Sequence, residues 1–491
     1  MAGFKHGVYT SEVPTQLLPP VTVDSNVVFA VGTAAVDTLD SDKPRYVNKL
    51  RCYFSYGEFV AEMGWDAENF SEYSLQELIY SHFALYRGAP IICANVYDPS
   101  KHKTTVTNEN VVLKGDVGTL KNKGISNVKV VAPANGANPE TNCVAGTDYT
   151  VNLVAGTITR KIGGAIAANA TIKVSYEFAD ISKVTSADII GGIDANGDAT
   201  GLELVDSVFP LYRKCVGSIL CPKFGEDPAV AVVMAAKAHD INGLFQAIAI
   251  VDIPSSGSRG VTKYTEVPAY KQNNNLSDER LIVCWPKVKL GNNVYGLATH
   301  LTGLMSQVDS DNGDIPYASA SNKHLNITSI GLVESSGKWK EISLGMDKVN
   351  YLNGEGIFSA LNWIGGLRTW GGRMSCYPGN TDPKDCQEPI RRMFNWYQNT
   401  FILTYFQKVD APMTRRLIQT ILRSENIRLE GYTSREIILG GRIAFEEKEN
   451  PIIDLIDGII RFHLYFTPPP AAREIDCAFE FDTENLAVLF D

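Results

Sequence analysis

Three short apolar runs, VGSILCP at 216–222, FQAIAIVDIP at 245–254 and RLIVCWP at 280–286, are separated or followed by helix-length segments such as DPAVAVVMAAKAHD and YGLATHLTGLMSQV. Runs this short and this uniformly apolar fit strands covered on both faces. Their alternation with helices predicts a largely parallel sheet between two helical layers. The same pattern occurs earlier, with VVFAVGTAA, a helix expected around Ser74–Tyr86, and PIICANVY. One α/β core is therefore expected from residues 21–97 and 190–349.

The interruption between those two pieces has a different texture. Residues 98–189 are rich in Thr, Val, Asn and Gly, and NVKVV, DYTVNLVAGTITR and ATIKVSYEF alternate or run β-branched between Gly and Asn turns. NLVAGTIT reads as a hairpin. This segment is expected to be an all-β module inserted in a loop of the core. From 350 the texture changes again: long helices are expected at 387–407 and 412–427, then strands at REIILGGRIAFEE and GIIRFHLYFTPP, giving a C-terminal α+β domain over 350–473. Residues 1–20, short and proline-bearing, read as an N-terminal arm. Residues 474–491 follow the stiff spacer Pro468-Pro469-Pro470 and read as a C-terminal arm. Within it REIDCAFEF places Ile475, Cys477, Phe479 and Phe481 on one face of a strand and Glu474, Asp476 and Glu480 on the other. The fold class expected is thus multidomain, α/β and α+β, with extended terminal arms.

The 491 residues exceed what a single core holds, and the formal net charge of −10 argues against a general nucleic-acid partner. The nine cysteines show no C-x-x-C spacing and read as thiols of a reducing compartment. The N-terminus has no apolar signal region, and no run reaches the roughly 20 apolar residues that span a bilayer. Searches for chemistry fail one after another. IGGLRTWGGR at 364–373 is glycine-rich, but Gly372 and Arg373 stand where a phosphate loop needs Lys and a hydroxyl. Its Gly366, Trp370, Gly371 and Gly372 read as a packing motif. There is no H-E-x-x-H and no G-x-S-x-G, and the acidic runs DSDNGD (309–314) and DANGD (194–198) misplace the glycine of a calcium loop, so both read as polar turns. SSGSRG at 255–260 follows a strand, where α/β enzymes carry catalytic loops, but no acid–base partner can be named for it. No catalytic residue, metal ligand or cofactor is expected.

The order of several segments resembles the tail sheath proteins of contractile phage tails and related injection machines. The resemblance starts at GVYTSEVP, continues through ILCPKFGEDPAVAVVMAAKAHDINGLFQAIAIVDIP, ERLIVCWPKV and GLATHLTGLMSQVDSDNGDIPYASASN, and includes NYLNGEGIFSALNWIGGLRTWGGRM, whose W-G element is a packing feature of that family. The chain departs from the family pattern at Gly372-Arg373-Met374 and at Gln307-Val308. The resemblance implies a structural subunit of a sheath that polymerises helically around an inner tube and contracts to drive it through a bacterial envelope. It implies no enzyme activity and a place in a virion or tail-like particle assembled in the host cytoplasm. The implied partners are further copies of the chain, an inner tail tube protein, and baseplate and tail-terminator proteins, without membrane insertion. It also implies that the terminal arms add strands to neighbouring subunits, which makes Val8, Tyr9, Thr10, Ile475, Cys477, Phe479 and Phe481 the inter-subunit strand candidates. Another self-assembling α/β tube or shell protein, and an α/β hydrolase or transferase, are the alternatives to a sheath subunit.

Charge is polarised near the C-terminus, with basic residues in excess over 387–442 and acidic ones after 443. On a helix expected to begin near Pro412, Met413, Leu417, Ile418, Ile421 and Leu422 fall on one face, and Arg415, Arg416, Gln419 and Arg423 gather on the other. Those four are the tube-contact candidates, against the plainer reading of a solvated outer face.

Overall fold

The computed structural model describes residues 21–40, 42–88, 90–133, 140–153, 155–483 and 489. Its centre is an eight-stranded sheet in the spatial order 50–53, 91–95, 28–32, 218–220, 248–252, 281–284, 357–363, 366–370. The six inner strands run parallel, and each edge is closed by one antiparallel strand. Every residue of Val28–Gly32, Ile91–Asn95 and Ile248–Asp252 is buried, as a sheet covered on both faces requires. Helices Pro228–His239 and Leu297–Asp311 pack on it. The first begins with Asp227, whose carboxylate accepts the Ala229 N–H, followed by Pro228 in the first turn.

This sheet corrects the boundary expected at 350. Val283 pairs with Ile357 and Cys284 with Phe358, so 357–370 belongs to the core sheet. The change of texture at 350 marks a crossover helix, Met346–Gly354, and not the end of a domain.

Residues 103–179 form two smaller antiparallel sheets around a separate apolar cluster that includes Val111, Ile125, Val130, Tyr149, Ile158, Ile172 and Tyr176. The hairpin expected at NLVAGTIT is formed, with Asn152 opposite Thr157. The entering strand Lys103–Val112 and the leaving strand Thr171–Ala179 are direct antiparallel partners, Lys103 facing Ala179. The chain therefore enters and leaves this segment side by side, so a module of this size occupies one loop of the core without spreading its ends.

After the sheet come two long helices, Glu388–Tyr405 and Arg415–Ser434, and a two-stranded sheet of Gly440–Ala444 and His463–Thr467. The first helix is buried along most of its length and is tied to the core by polar groups. Trp396 Nε1 donates to Val23 O at 2.8 Å, Asn395 Nδ2 to Ala247 O at 3.0 Å, and Asn399 Nδ2 to Gln246 O at 2.8 Å. Arg392 donates to Asp309 Oδ2 and, at 3.2 Å, to Glu388 Oε1, and Ser25 Oγ also donates to Asp309 Oδ2. DSDNGD is therefore no simple surface turn, since its first carboxylate closes the end of a helix and faces inward. DANGD is one: Asp194 accepts from the N–H groups of Asn196 and Asp198.

The IGGLRTWGGR stretch is the sheet's edge hairpin. Trp363 pairs with Gly366, and Gly365 and Gly366 hold φ of 83° and 100°, where a side chain would be strained. Trp370 Nε1 donates to Asn350 Oδ1 at 3.0 Å. A Cβ on Gly371 would stand 2.7 Å from Phe358 Cγ and 3.0 Å from its Cα, whereas one on Gly372 would meet nothing nearer than Ser319 Oγ at 4.0 Å. The two adjacent glycines should therefore behave differently. Gly371→Ala is expected to cost about 1–3 kcal/mol in urea unfolding, since backbone must shift, and Gly372→Ala less than about 0.5 kcal/mol. Equal midpoints for the two variants would show that no close approach exists at 371.

Candidate assembly surfaces

The C-terminal helix Arg415–Ser434 is positioned by one buried carboxylate. Glu425 accepts from Tyr397 Oη at 2.5 Å and Tyr405 Oη at 2.7 Å, and Arg428 lies 3.1 Å away. Both tyrosines come from the preceding helix, so the pair of helices is locked in register. Burial beside Glu425 pushes both phenols above their usual range, which keeps them as donors.

The helix starts later than its sequence suggests. Thr414 is its N-cap, with Oγ1 accepting the Leu417 N–H at 3.2 Å, and Pro412 and Met413 lie outside it. Its faces also differ from the expected two. Ile421, Ser424, Glu425, Leu429 and Tyr432 are the buried positions. Arg415, Ile418, Gln419 and Leu422, at i, i+3, i+4 and i+7, share one stripe that lines an open groove with Met413, Phe445 and Leu455. So Arg415 and Gln419 sit beside two of the apolar side chains, not opposite them, while Arg416 and Arg423 lie exposed. Arg415 and Arg416 occupy the first turn, which holds no acidic residue. Cations there oppose the helix dipole by roughly 0.3–1 kcal/mol each.

Beside the groove the short helix Ile452–Ile456 exposes Ile452, Ile453 and Ile456. Past the His463–Thr467 strand, residues 470–483 are exposed without exception and form no strand within the chain. The strand expected at REIDCAFEF is thus not formed here. Alternation supplies two faces, but a strand also needs a backbone partner, and the described residues offer none to this segment. Ile475, Phe479 and Phe481 stand at 88%, 96% and 77% exposure, and Cys477 is exposed. Val8, Tyr9 and Thr10 lie outside the described residues.

Some titratable groups elsewhere are buried in the core. Sequence reasoning missed a cluster at the C-terminal ends of the parallel strands, where Lys287 donates to Glu226, Glu77 accepts from Thr299 Oγ1 at 2.9 Å, and Asp252 Oδ1 accepts the Ala298 N–H at 3.0 Å. Nothing in its one-dimensional pattern marks it, because its members are scattered from 77 to 299. Burial pushes the Asp252 carboxyl up to about 7 and holds His82 and His300 down at about 4 and about 3. Ser255 of the SSGSRG loop accepts the Val333 N–H, and Arg259 pairs with Asp227 at 2.7 Å. Among the described residues, His239, Asp278 and Glu279 are the group whose atoms could converge on a metal ion. His239 Nε2 already lies 2.9 Å from both Asp278 oxygens, a hydrogen-bonded contact at a helix C-terminus. No helix is long and apolar enough to cross a membrane among the described residues.

Comparison with known proteins covers the whole chain. The tail sheath protein of Burkholderia phage BcepMu is similar at 29% identity over 99% of both chains. The sheath of an extracellular contractile injection system, the PVC sheath complex in the contracted state, has a similar fold, with a TM-score of 0.56 at 12% identity over 99% of both chains. The helical sheath of the anti-feeding prophage in the contracted state matches equally, with a TM-score of 0.56 at 11% identity over 97% of this chain and 99% of that one. A family described as a protein of unknown function matches residues 98–187 alone.

Because a carboxyl raised on folding stabilises in its protonated form, the contribution of Asp252 is complete below the ordinary value of 3.8 and is lost as pH rises through about 7. Asp252→Asn, whose amide does not titrate, should therefore gain on the unsubstituted chain by about 1–3 kcal/mol between pH 5 and pH 8, at 1.36 kcal/mol per pKa unit. Urea midpoints across that range measure it. A difference that stays constant with pH would mean that Lys287 holds Asp252 ionised throughout.

Proposed function

We infer that this chain, a member of the contractile tail sheath family, is a structural subunit that polymerises helically around an inner tube and contracts to drive that tube through a bacterial envelope. The likeness to a tail sheath protein over 99% of both chains carries this reading, and the fold shared with two contractile sheaths supports it. A non-enzymatic role follows from the same membership. The buried titratable groups are held by hydrogen bonds and ion pairs inside the core, which suits scaffolding. No cofactor is needed, since the work of contraction is stored in the extended lattice at assembly. Particle association, with baseplate and terminator proteins as further partners, is part of the proposal.

Two surfaces divide the labour in this reading. The segment 475–481 is exposed and alternating and lies in no strand, and among the described residues the Gly440–Ala444/His463–Thr467 sheet has two strands, which is marginal in isolation. A strand donated by a neighbour, from 474–483 or from the Val8–Thr10 arm, would complete it. Backbone pairing supplies affinity and tolerates small rotations of whole subunits. The Arg415, Arg416, Gln419 and Arg423 helix is the proposed tube contact. Cations kept where they weaken their own helix fit a role toward an acidic partner, and contacts of about 0–1 kcal/mol each, repeated over many subunits, suit a surface that must let go.

Deleting 474–491 should leave the urea midpoint nearly unchanged, since 470–483 is exposed throughout, and should abolish regular tubes in negative-stain images. Tubes built from the truncated chain would remove the C-terminal arm from assembly. Arg415→Glu with Arg416→Glu should preserve folding, within about 1 kcal/mol, and self-polymerisation, because acids at a helix N-terminus are favourable. Co-expressed with tube and baseplate, this variant should give sheaths without tube. Normal extended particles would show that this helix faces elsewhere.

A further inference from the structure

The edge hairpin ends in an apolar tip that its own turn does not need. Trp363 is 49% exposed and Ile364 83%, whereas the turn chemistry calls only for Gly365 and Gly366. Among the described residues the Trp363 indole has no hydrogen-bond partner.

At the other edge of the sheet lies an open aromatic groove of ≈ 490 Å³, within the ~300–1,000 Å³ range that holds whole ligand-sized groups. It is lined by Phe54, Tyr56, Tyr80, Phe83, Ala84 and Arg87. One wall is a π-helical turn, Tyr80–Leu85, which contributes Tyr80, Phe83 and Ala84 to the lining. Phe54 is 57% exposed, and among the described residues the Arg87 guanidinium has no hydrogen bond or ion pair.

Tip and groove cannot meet within one chain. Strand 50–53 is one edge of the eight-stranded sheet and 366–370 the other, so about 34 Å separates them at about 4.8 Å per strand. They also differ in height. Tyr53 is level with Ile91 and Val28 at the sheet's N-terminal end, and the pairing of Ile248, Leu281 and Ile357 carries that level to about residue 354. Trp363 lies nine residues further on, on the order of 30 Å along the strand direction.

We propose that the Trp363–Ile364 tip of one copy docks in the Phe54–Arg87 groove of the next. The occupant follows from electrostatic and apolar complementarity: an unpartnered guanidinium on the groove meets an unpartnered indole face on the tip, as in cation–π pairs, and Ile364 enters an aromatic trough. Different surfaces at diagonally opposite corners make the contact head-to-tail. Repeated with a lateral and an axial offset, such a contact builds an open helix and not a closed dimer. This rests on the sheath reading and adds a rigid contact between core domains to the donated strands.

The test uses the full chain with Cys477→Ser, Ile364→Cys and Ala84→Cys, polymerised and then oxidised with diamide. Non-reducing gels should show a reducible ladder of three or more chains, absent from either single cysteine variant. Tubes imaged in the same sample without a ladder would overturn the contact while leaving the sheath reading intact, and failure of the unsubstituted chain to form tubes would overturn both. If the double-cysteine chain fails to fold or polymerise, a charge pair decides. Arg87→Glu should raise the critical concentration for tubes about tenfold with folding unchanged, and Trp363→Lys added to it should restore assembly. An unchanged critical concentration, or no rescue, would also overturn the proposal.

Discussion

Arg392 is buried between Asp309, at the end of a core helix, and Glu388, in the first turn of its own helix. Removing one partner of such a group leaves an uncompensated charge in the interior, at a cost of about 3–5 kcal/mol. Arg392 therefore forces the Glu388–Tyr405 helix into one rotational setting on the α/β core, and the Trp396, Asn395 and Asn399 hydrogen bonds agree with that setting. From this helix Tyr397 and Tyr405 reach Glu425, which sets the next helix in turn. A line of buried polar contacts thus runs from the sheet to the outermost helix.

In the proposed reading, such a line of contacts suits a subunit of a contractile lattice. If subunits moved internally, the energy released on contraction would be dissipated inside each of them, whereas stiff bodies pass it to their connections. The exposed 470–483 segment is the opposite kind of element, open to solvent at every residue. Strand addition relies on backbone groups and is nearly indifferent to which side chains follow a rotation, while a knob in a groove is sensitive to distance and angle. A lattice carrying both would have permanent tethers and contacts that can be exchanged.

The inserted β module stands apart from this line. It has its own apolar cluster and is joined through two adjacent strands. Four of its lysines, Lys114, Lys121, Lys123 and Lys129, are exposed on a chain that is acidic as a whole.

What the sequence determined by itself is what depends on local periodicity. Short uniformly apolar runs declared buried parallel strands, Asn and Gly turns declared the inserted hairpins, and the order of segments carried the resemblance to tail sheath proteins. Local pattern could not tell where the sheet stops: 357–370 joins the core only because Val283 happens to lie beside Ile357. Nor could it tell which faces of the Arg415–Ser434 helix are covered, since that depends on where Glu425 and Phe445 meet their neighbours. Alternation at Ile475, Cys477, Phe479 and Phe481 implied a strand, and among the described residues it has no backbone partner. The charge cluster of Glu77, Glu226, Asp252 and Lys287 and the Arg392 network were invisible in the sequence for the same reason. They are built from residues far apart along the chain, and only the closing of the sheet and the docking of the helices bring those charges together out of water.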